Sequence, residues 1–269
     1  MPELPEVETI RRGLAQELKK AVIERFEVRD PRLLKPATVT AWQRRMAGRH
    51  LTAFQRHGKY LEIVLDSKDR FFVHLRMTGQ LLICTAANVP TLWRMRLQFI
   101  GGRSLYFVDQ RRFGEVWLLG PQDPGPSRHP LGPDALDLSL LTFKTALKQK
   151  KSPIQAVLLD QGVLAGVGNI YAQEALFLSR IRPARKTDRL TMAEITALHD
   201  ALQKTLHAAI AARGSSSRNY RDVHGQEGLA QMAHAVYRKT GRPCTRCKTL
   251  LRGARVGGRG TVYCPKCQS

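Results

Sequence analysis

Long hydrophobic runs are missing from this chain. No apolar stretch reaches the roughly 18 residues that a membrane span requires. The start is acidic from the third residue and lacks the basic-then-apolar order of a signal peptide. The chain is therefore expected in the cytoplasm, with no membrane partner. Acidic residues are scarce: Asp and Glu number 22 against 44 Lys and Arg, a formal net charge of +22. That imbalance points to a polyanionic partner. Cysteines number only five, which excludes a disulfide-stapled scaffold. No internal repeat is visible, so a solenoid or propeller is excluded. Disorder is excluded too, because 43% of the 269 residues are hydrophobic, enough for one large domain or two ordinary ones.

What is present changes character along the chain. Val7, Ile10, Leu14 and Leu18 recur at helical spacing, which predicts a helix over 5–19 with Pro5 in its first turn. Short runs rich in β-formers follow. Val22, Glu24, Phe26 and Val28 share one parity, and KYLEIVL (59–65), FFVHL (71–75), QLLI (80–83), RMRLQF (94–99), SLYFV (104–108) and EVWLL (115–119) read as strands. An antiparallel sandwich or barrel is expected. The stretch 121–133 carries five prolines and reads as a linker. Helices are then expected over 136–150, 153–159, 170–178 and 191–212, and the polar segment 214–228 reads as a mobile loop.

The most specific local signal is metal-ligand spacing. Cys244, Cys247, Cys264 and Cys267 form C-x2-C-x16-C-x2-C, in which each pair clamps one side of a tetrahedral ion. Four thiolates with no open position describe one structural zinc, with no catalytic cofactor. The solitary Cys84 reads as a small buried hydrophobe. The hairpin between the cysteine pairs, LRGARVGGRGTV, has Arg259 near its tip, where a cation can reach a phosphate or groove. GVLAGVGNIYAQEALF (162–177) is a glycine-rich turn entering a helix, with Asn169 at the expected N-cap, which suits either a phosphate at the free N–H groups or an ordinary cap. Arg111, Arg112 and Phe113 in DQRRFG set two cations beside an aromatic, which suits either a duplex wedge or a turn anchor.

Glu3, Glu6 and Glu8 are the wrong charges for a polyanion-binding surface, unless they do chemistry on the polyanion. Removal of Met1 makes Pro2 the terminal amine. An α-amine has a pKa of about 7.7–8.0 against about 10.4 for lysine, so far more of it is neutral at physiological pH. A nearby helix N-terminus favours the neutral form further. Pro2 is thus a usable nucleophile towards a sugar carbon, forming an iminium, with Glu3 placed to move a proton. Glu6 is expected in support, and Glu8 in a structural role.

Together these segments resemble the formamidopyrimidine-DNA glycosylase/endonuclease VIII family, and more closely its formamidopyrimidine-DNA glycosylase branch. PELPEVETIRRGL (2–14), GKYL (58–61), HLRMTG (74–79), RRFG (111–114), GVGNIYAQEALF (166–177) and GRGTVYCPKCQ (258–268) carry the likeness, in order along almost the whole chain. The resemblance implies an α+β protein, with an N-terminal β-sandwich behind a leading helix and a C-terminal helix–two-turn–helix domain bearing a zinc β-hairpin. The expected divisions are a catalytic sandwich at 2–120, a linker at 121–135, the DNA-binding helices at 136–213, a lesion-covering loop at 214–236 and the zinc hairpin at 237–269. It implies a bifunctional glycosylase and abasic-site lyase of base-excision repair. Such an enzyme removes oxidised purines from damaged double-stranded DNA through Pro2 and cuts the strand by β,δ-elimination. The same resemblance makes Glu3 the acid/base and Lys59 a contact to the phosphate beside the lesion. Asn169 and Arg259 become phosphate grips, Met77, Arg111 and Phe113 the fillers of the vacated stack, and Glu174 part of a polar network. A monomer is expected, acting on nucleoid DNA if bacterial, because the DNA cleft would lie within one chain.

The chain departs from the family pattern at Gln110, where proline is usual. It departs again at Arg213-Gly214, where Gly-Gly is usual, and at Tyr237-Arg238-Lys239, where Tyr-Gly-Arg is usual. The 219–228 loop leaves base preference open, so an endonuclease VIII-like enzyme for oxidised pyrimidines and a non-catalytic damage-binding module stand as alternatives.

Overall fold

The computed structural model describes residues 1–127, 129–148, 150–216 and 219–269. Residues 128, 149, 217 and 218 lie outside it, so the expected linker, the expected 136–150 helix and the polar loop are described only in part. Two compact units are present. The first comprises 1–127 of the described chain together with Ala212–Leu229, and the second comprises His129–Ala211 and Ala230–Ser269.

The first unit begins with α1 (Leu4–Leu18), one residue earlier than expected because Glu3 serves as its N-cap. Then come β1 (Ile23–Val28), β2 (Leu34–Lys35), α2 (Val39–Met46), β3 (Leu51–His57), β4 (Tyr60–Leu65) and β5 (Arg70–His74). The rest of this unit's strands are β6 (Gly79–Cys84), β7 (Trp93–Phe99), β8 (Ser104–Asp109) and β9 (Glu115–Leu119). They form two sheets, β1-β7-β8-β6 and β2-β9-β5-β4-β3. Pairing is antiparallel except between β2 and β9. Side chains from both sheets and from the Val7–Ile10–Leu14–Leu18 face of α1 share one core, which makes this unit a β-sandwich with a leading helix.

Two local expectations fail for physical reasons. The single parity read over 22–28 breaks because the register shifts between Ile23 and Arg25, so Ile23 and Phe26 are the buried pair. The helix α2 was not expected, since its apolar anchoring rests on only Trp42 and Met46, both fully buried. Trp42 stacks on Phe26 at 5.4 Å and meets Phe71 edge-on at 5.8 Å, and Thr38 Oγ1 caps the helix by accepting the Ala41 N–H.

The segment Ala212–Leu229 is no free loop among its described residues. Leu229 donates its N–H to the Ala212 carbonyl at 2.7 Å and Ile83 donates to that of Val223 at 2.8 Å. Tyr220 and Val223 are buried in the sandwich core. Val223 packs so closely on α1 that a Cβ at Gly13 would come within 2.6 Å of it. Burial of one such side chain stabilises by about 1.5–3 kcal/mol, which outweighs the polar composition of the surrounding segment.

The second unit holds α3 (Leu140–Leu147), α4 (Ile154–Leu159), α5 (Asn169–Leu178), α6 (Met192–Ala211), and the hairpin of β10 (Arg252–Val256) and β11 (Arg259–Tyr263). The first of these helices starts four residues later than expected, at the Ser139 cap, because Asp137 is left-handed at φ 55°. No helix of the described residues is long and apolar enough to cross a membrane.

Candidate active site and nucleic-acid interface

The start of α1 is built to stay buried. Pro2 is buried, and Glu3, Glu6 and Glu8 are at most 4% exposed despite their charge. Glu6 turns back so that its Oε2 accepts the Glu3 N–H at 2.7 Å, one arm of a capping box. Its Oε1 accepts the Ser215 N–H at 2.8 Å, tying the 212–229 segment to the first turn of the helix. Glu8 faces three arginines: it accepts hydrogen bonds from Arg11 and Arg12 and pairs with Arg56 at 3.1 Å. Burial would raise the Glu8 pKa, but the bonds from Arg11 and Arg12 and the charges of Arg11 and Arg56 together hold it down to about 2.

Arg56 then carries the helix's influence to Lys59. Its Nη1 donates to the Gly58 carbonyl at 3.0 Å, inside the tight turn from β3 to β4, where Gly58 has φ 56°. The Glu8–Arg56–Gly58 chain therefore ties the turn bearing Lys59 to the second turn of α1. Lys59 is only 7% exposed. Its charge falls on His74, whose pKa is pushed down to about 3 by burial first, then by Arg76 and Lys59. The neutral imidazole accepts the Arg76 N–H through Nδ1 at 3.1 Å and meets Tyr60 edge-on. The chain of bonds through Arg56 ties the turn of Lys59 to the helix that Glu3 caps and Glu6 enters.

The loops 75–78 and 110–114 form a second constellation in the same unit. Asp109 and Gly79 pair directly at the ends of β8 and β6. The buried Asp109 carboxylate accepts the N–H of Arg111 at 3.2 Å, that of Gly114 at 2.7 Å, and the Thr78 hydroxyl. Arg111 also donates its N–H to Thr78 Oγ1. One acid so brings the half-buried Met77 loop beside the loop of Arg111 and Phe113. Phe113 is 50% exposed, with the Arg111 guanidinium 4.6 Å from its ring centroid. An exposed aromatic backed by a cation is a surface prepared for flat apolar partners.

In the second unit the expected N-cap role moves by one residue. Gly168 is the N-cap of α5 and Asn169 is its first helical residue. Asn169 bonds sideways instead: Nδ2 donates to the Gly260 carbonyl at 2.9 Å and Oδ1 accepts from Gln155 at 3.0 Å. Gln173, one turn on, donates to the same carbonyl and accepts the Val262 N–H at 2.8 Å. The helix start and the hairpin are locked together just beside Arg259. Arg259 is exposed, and among the described residues its guanidinium has no partner. Glu174 faces the other way, accepting the N–H groups of Ala235, Val236 and Tyr237 at 2.7–3.0 Å.

The four cysteine sulfurs lie within 4.8 Å of one another, with Cys244–Cys267 at 4.0 Å and Cys247–Cys264 at 3.4 Å. A tetrahedral zinc with sulfur at about 2.3 Å spaces its ligands by about 3.8 Å, so the set fits one structural ion. A bond from Thr249 draws Cys247 down to about 6, while its bond to Cys247 pushes Cys267 up to about 12. Sulfurs this crowded cannot all be thiolates without a cation among them.

Several supporting residues escaped the sequence reading: Asp109, Arg56, His74, Ser215, Gln155 and Gln173. Asp109 had a local signal, an aspartate opening a turn. Ser215, Gln155 and Gln173 act through partners distant in sequence, and Arg56 and His74, though they also bond two residues on, carry no turn signature.

Comparison with known proteins accounts for the whole arrangement. Residues 1–116 match the Formamidopyrimidine-DNA glycosylase N-terminal domain, 131–221 the Formamidopyrimidine-DNA glycosylase H2TH domain, and 241–269 the zinc finger found in FPG and IleRS. The formamidopyrimidine-DNA glycosylase of Chloroflexus aurantiacus is 40% identical over all of this chain and 98% of its own length. The chain belongs to the formamidopyrimidine-DNA glycosylase family. The family enzyme of Carboxydothermus hydrogenoformans is likewise 40% identical, end to end. Among solved structures, the Lactococcus lactis Fpg in complex with an abasic site containing DNA superposes with a TM-score of 0.91 at 32% identity, covering 99% of both chains. The wild-type Lactococcus lactis Fpg with N7-benzyl-Fapy-dG DNA gives the same TM-score at 33% identity over both full lengths.

Two departures from the family pattern acquire a physical meaning. Arg213 and Arg238 stand where glycine is usual, and both are left-handed, at φ 59° and 60°. Both backbones adopt a conformation that favours glycine, and the arginine bears the strain.

Proposed function

We propose that this chain is a bifunctional DNA glycosylase and abasic-site lyase that removes oxidised purines from duplex DNA. The observation that carries it is the burial of Pro2 and Glu3 at the start of a helix whose Glu8–Arg56–Gly58 chain seats Lys59 alongside. An acid and a terminal imino acid placed beside a held cation suit attack on a sugar next to a phosphate. The family relatives and their damaged-DNA complexes support the substrate class.

With Met1 removed, the Pro2 nitrogen bonds to C1′ as the C1′–base bond breaks, and the base departs with a proton. Glu3 moves protons at the sugar. The Pro2 nitrogen sheds its proton, the C1′–O4′ bond breaks with O4′ protonated by Glu3, and the resulting iminium makes the C2′ hydrogen acidic. Its loss expels the 3′ phosphate, a second elimination expels the 5′ phosphate, and water frees Pro2. Lys59 holds the phosphate beside the lesion. Met77, Arg111 and Phe113 occupy the stack that the flipped nucleotide leaves. Asn169 and Arg259 grip the backbone, Asn169 through the helix start that its side chain braces, and Glu174 holds the 235–237 backbone behind them. Cys244, Cys247, Cys264 and Cys267 hold the zinc that keeps the hairpin folded. We place this work in the cytoplasm, on nucleoid DNA.

Borohydride trapping tests the reading. Protein with Met1 removed is mixed with duplexes carrying 8-oxoguanine, formamidopyrimidine, an oxidised pyrimidine or an abasic site. An adduct mapped to Pro2, strongest among base lesions for the purines, is expected. Binding without any adduct would make the chain a damage-binding module, and preference for the pyrimidine would move it to the endonuclease VIII type of activity.

A further inference from the structure

A group of arginines lies at the end of β1, where Arg112 from the 110–114 loop joins it. Arg29 donates its N–H to the Arg94 carbonyl at 2.8 Å, and its guanidinium lies 3.8 Å from the Trp93 ring centroid on an exposed residue. Next to it the Asp30 carboxylate takes both arms of Arg32 at 2.8 Å, and Arg112 approaches the same carboxylate at 3.8 Å. The Arg32 and Arg112 side chains are 72% and 53% exposed. Arg32 and Arg112 thus share a single carboxylate, with the Arg29 guanidinium exposed on the Trp93 ring in the same segment. Mutual repulsion of that kind is costly unless a polyanion answers it.

The position of the group says which polyanion. In the sheet order β1-β7-β8-β6, the loops of Met77 and Arg111–Phe113 leave the β8–β6 end, and Arg112 of that second loop reaches across to Asp30 at the end of β1. Lys59 belongs to the other sheet, beyond the chain crossing at 75–78. The arginine group therefore adjoins the stack-filling loops in the β1 sheet, apart from the sheet that carries the turn of Lys59. We propose that Arg29, Arg32 and Arg112 form a binding surface for the phosphates of the strand opposite the lesion, with Asp30 as the charge that moderates its strength. This inference rests on the functional reading above in taking duplex DNA as the ligand.

Binding without turnover tests it, using fluorescence anisotropy against salt with a duplex and a single strand, each carrying a tetrahydrofuran abasic analogue. Arg29→Gln should lower the salt slope on the duplex by about one, and Arg29→Gln with Arg112→Asn by about two, with little change on the single strand. Asp30→Asn keeps the cap acceptor, removes the charge, and should steepen the duplex slope and tighten binding. Arg25→Gln, an exposed arginine paired with Glu27 on the same strand, is the control and should change neither slope. Equal losses on duplex and single strand, an unchanged slope for Arg29→Gln, or weaker binding by a normally folded Asp30→Asn would each overturn the proposal. Absence of borohydride adducts would sink the lyase reading alone, because these slopes need no catalysis.

Discussion

The Glu6 carboxylate holds the backbone of Ser215 at 2.8 Å, across 209 residues of chain. Its other oxygen holds the Glu3 N–H. One buried side chain therefore sets both the first turn of α1 and the position of the 212–229 segment. Glu6→Gln offers one acceptor where two N–H groups point. We expect a loss of about 1–3 kcal/mol in denaturant unfolding, faster protease cleavage within 212–229, and weaker borohydride trapping. Unchanged protease resistance would show that Ser215 is held by other means.

Glu8 gives the protein an acid-sensitive joint. Its folded pKa of about 2 lies below the ordinary value of 4.5. The stability it contributes is fully present above about 4.5 and is lost as pH falls from there through about 2. Glu8→Gln should be less stable at pH 7, and the gap from the parent should narrow as pH drops through that window. Thermal unfolding from pH 7 to pH 2.5 reads the difference directly; parallel curves would refute the linkage.

Much of this was legible in advance, and the exceptions have a common cause. The helical spacing of Val7, Ile10, Leu14 and Leu18 survives in α1 because each is buried in the sandwich core. The cysteine spacing survives because metal geometry is local. The 214–228 stretch read as mobile because Gly, Ser and charge dominate it, yet Tyr220 and Val223 alone suffice to dock it. Asn169 read as a cap because its side chain can accept from its own backbone, whereas Gly260, 91 residues on, supplies a better partner. Local propensity lost wherever a distant residue completed the site.

The zinc set and the hairpin tip should separate in their effects. Cys264 is fully buried, and Cys264→Ser should lose the metal, unfold β10–β11 and free the Gly260 carbonyl from Asn169 and Gln173. Zinc content and binding to every duplex should fall together. Arg259→Gln should keep zinc and fold, and lower the salt slope by about one. A Cys264→Ser protein with normal zinc content would refute the metal assignment.

Arg238 is strained at φ 60° beside the fixed backbone of 235–237. Arg238→Gly should raise stability by up to about 1–2 kcal/mol through relief of that conformation, offset in part by the freedom glycine gains when unfolded. Thermal and denaturant unfolding measure the sign. A destabilised variant would mean that the arginine side chain contributes more than its backbone costs.

Phe107 lies beneath both loops that flank Asp109. A Cβ on Gly114 would stand 2.4 Å from its ring and one on Gly79 2.9 Å, so neither loop can lift without disturbing the other. Both loops therefore rest on one side chain, and a change of Phe107 would reach the Met77 side and the Phe113 side together.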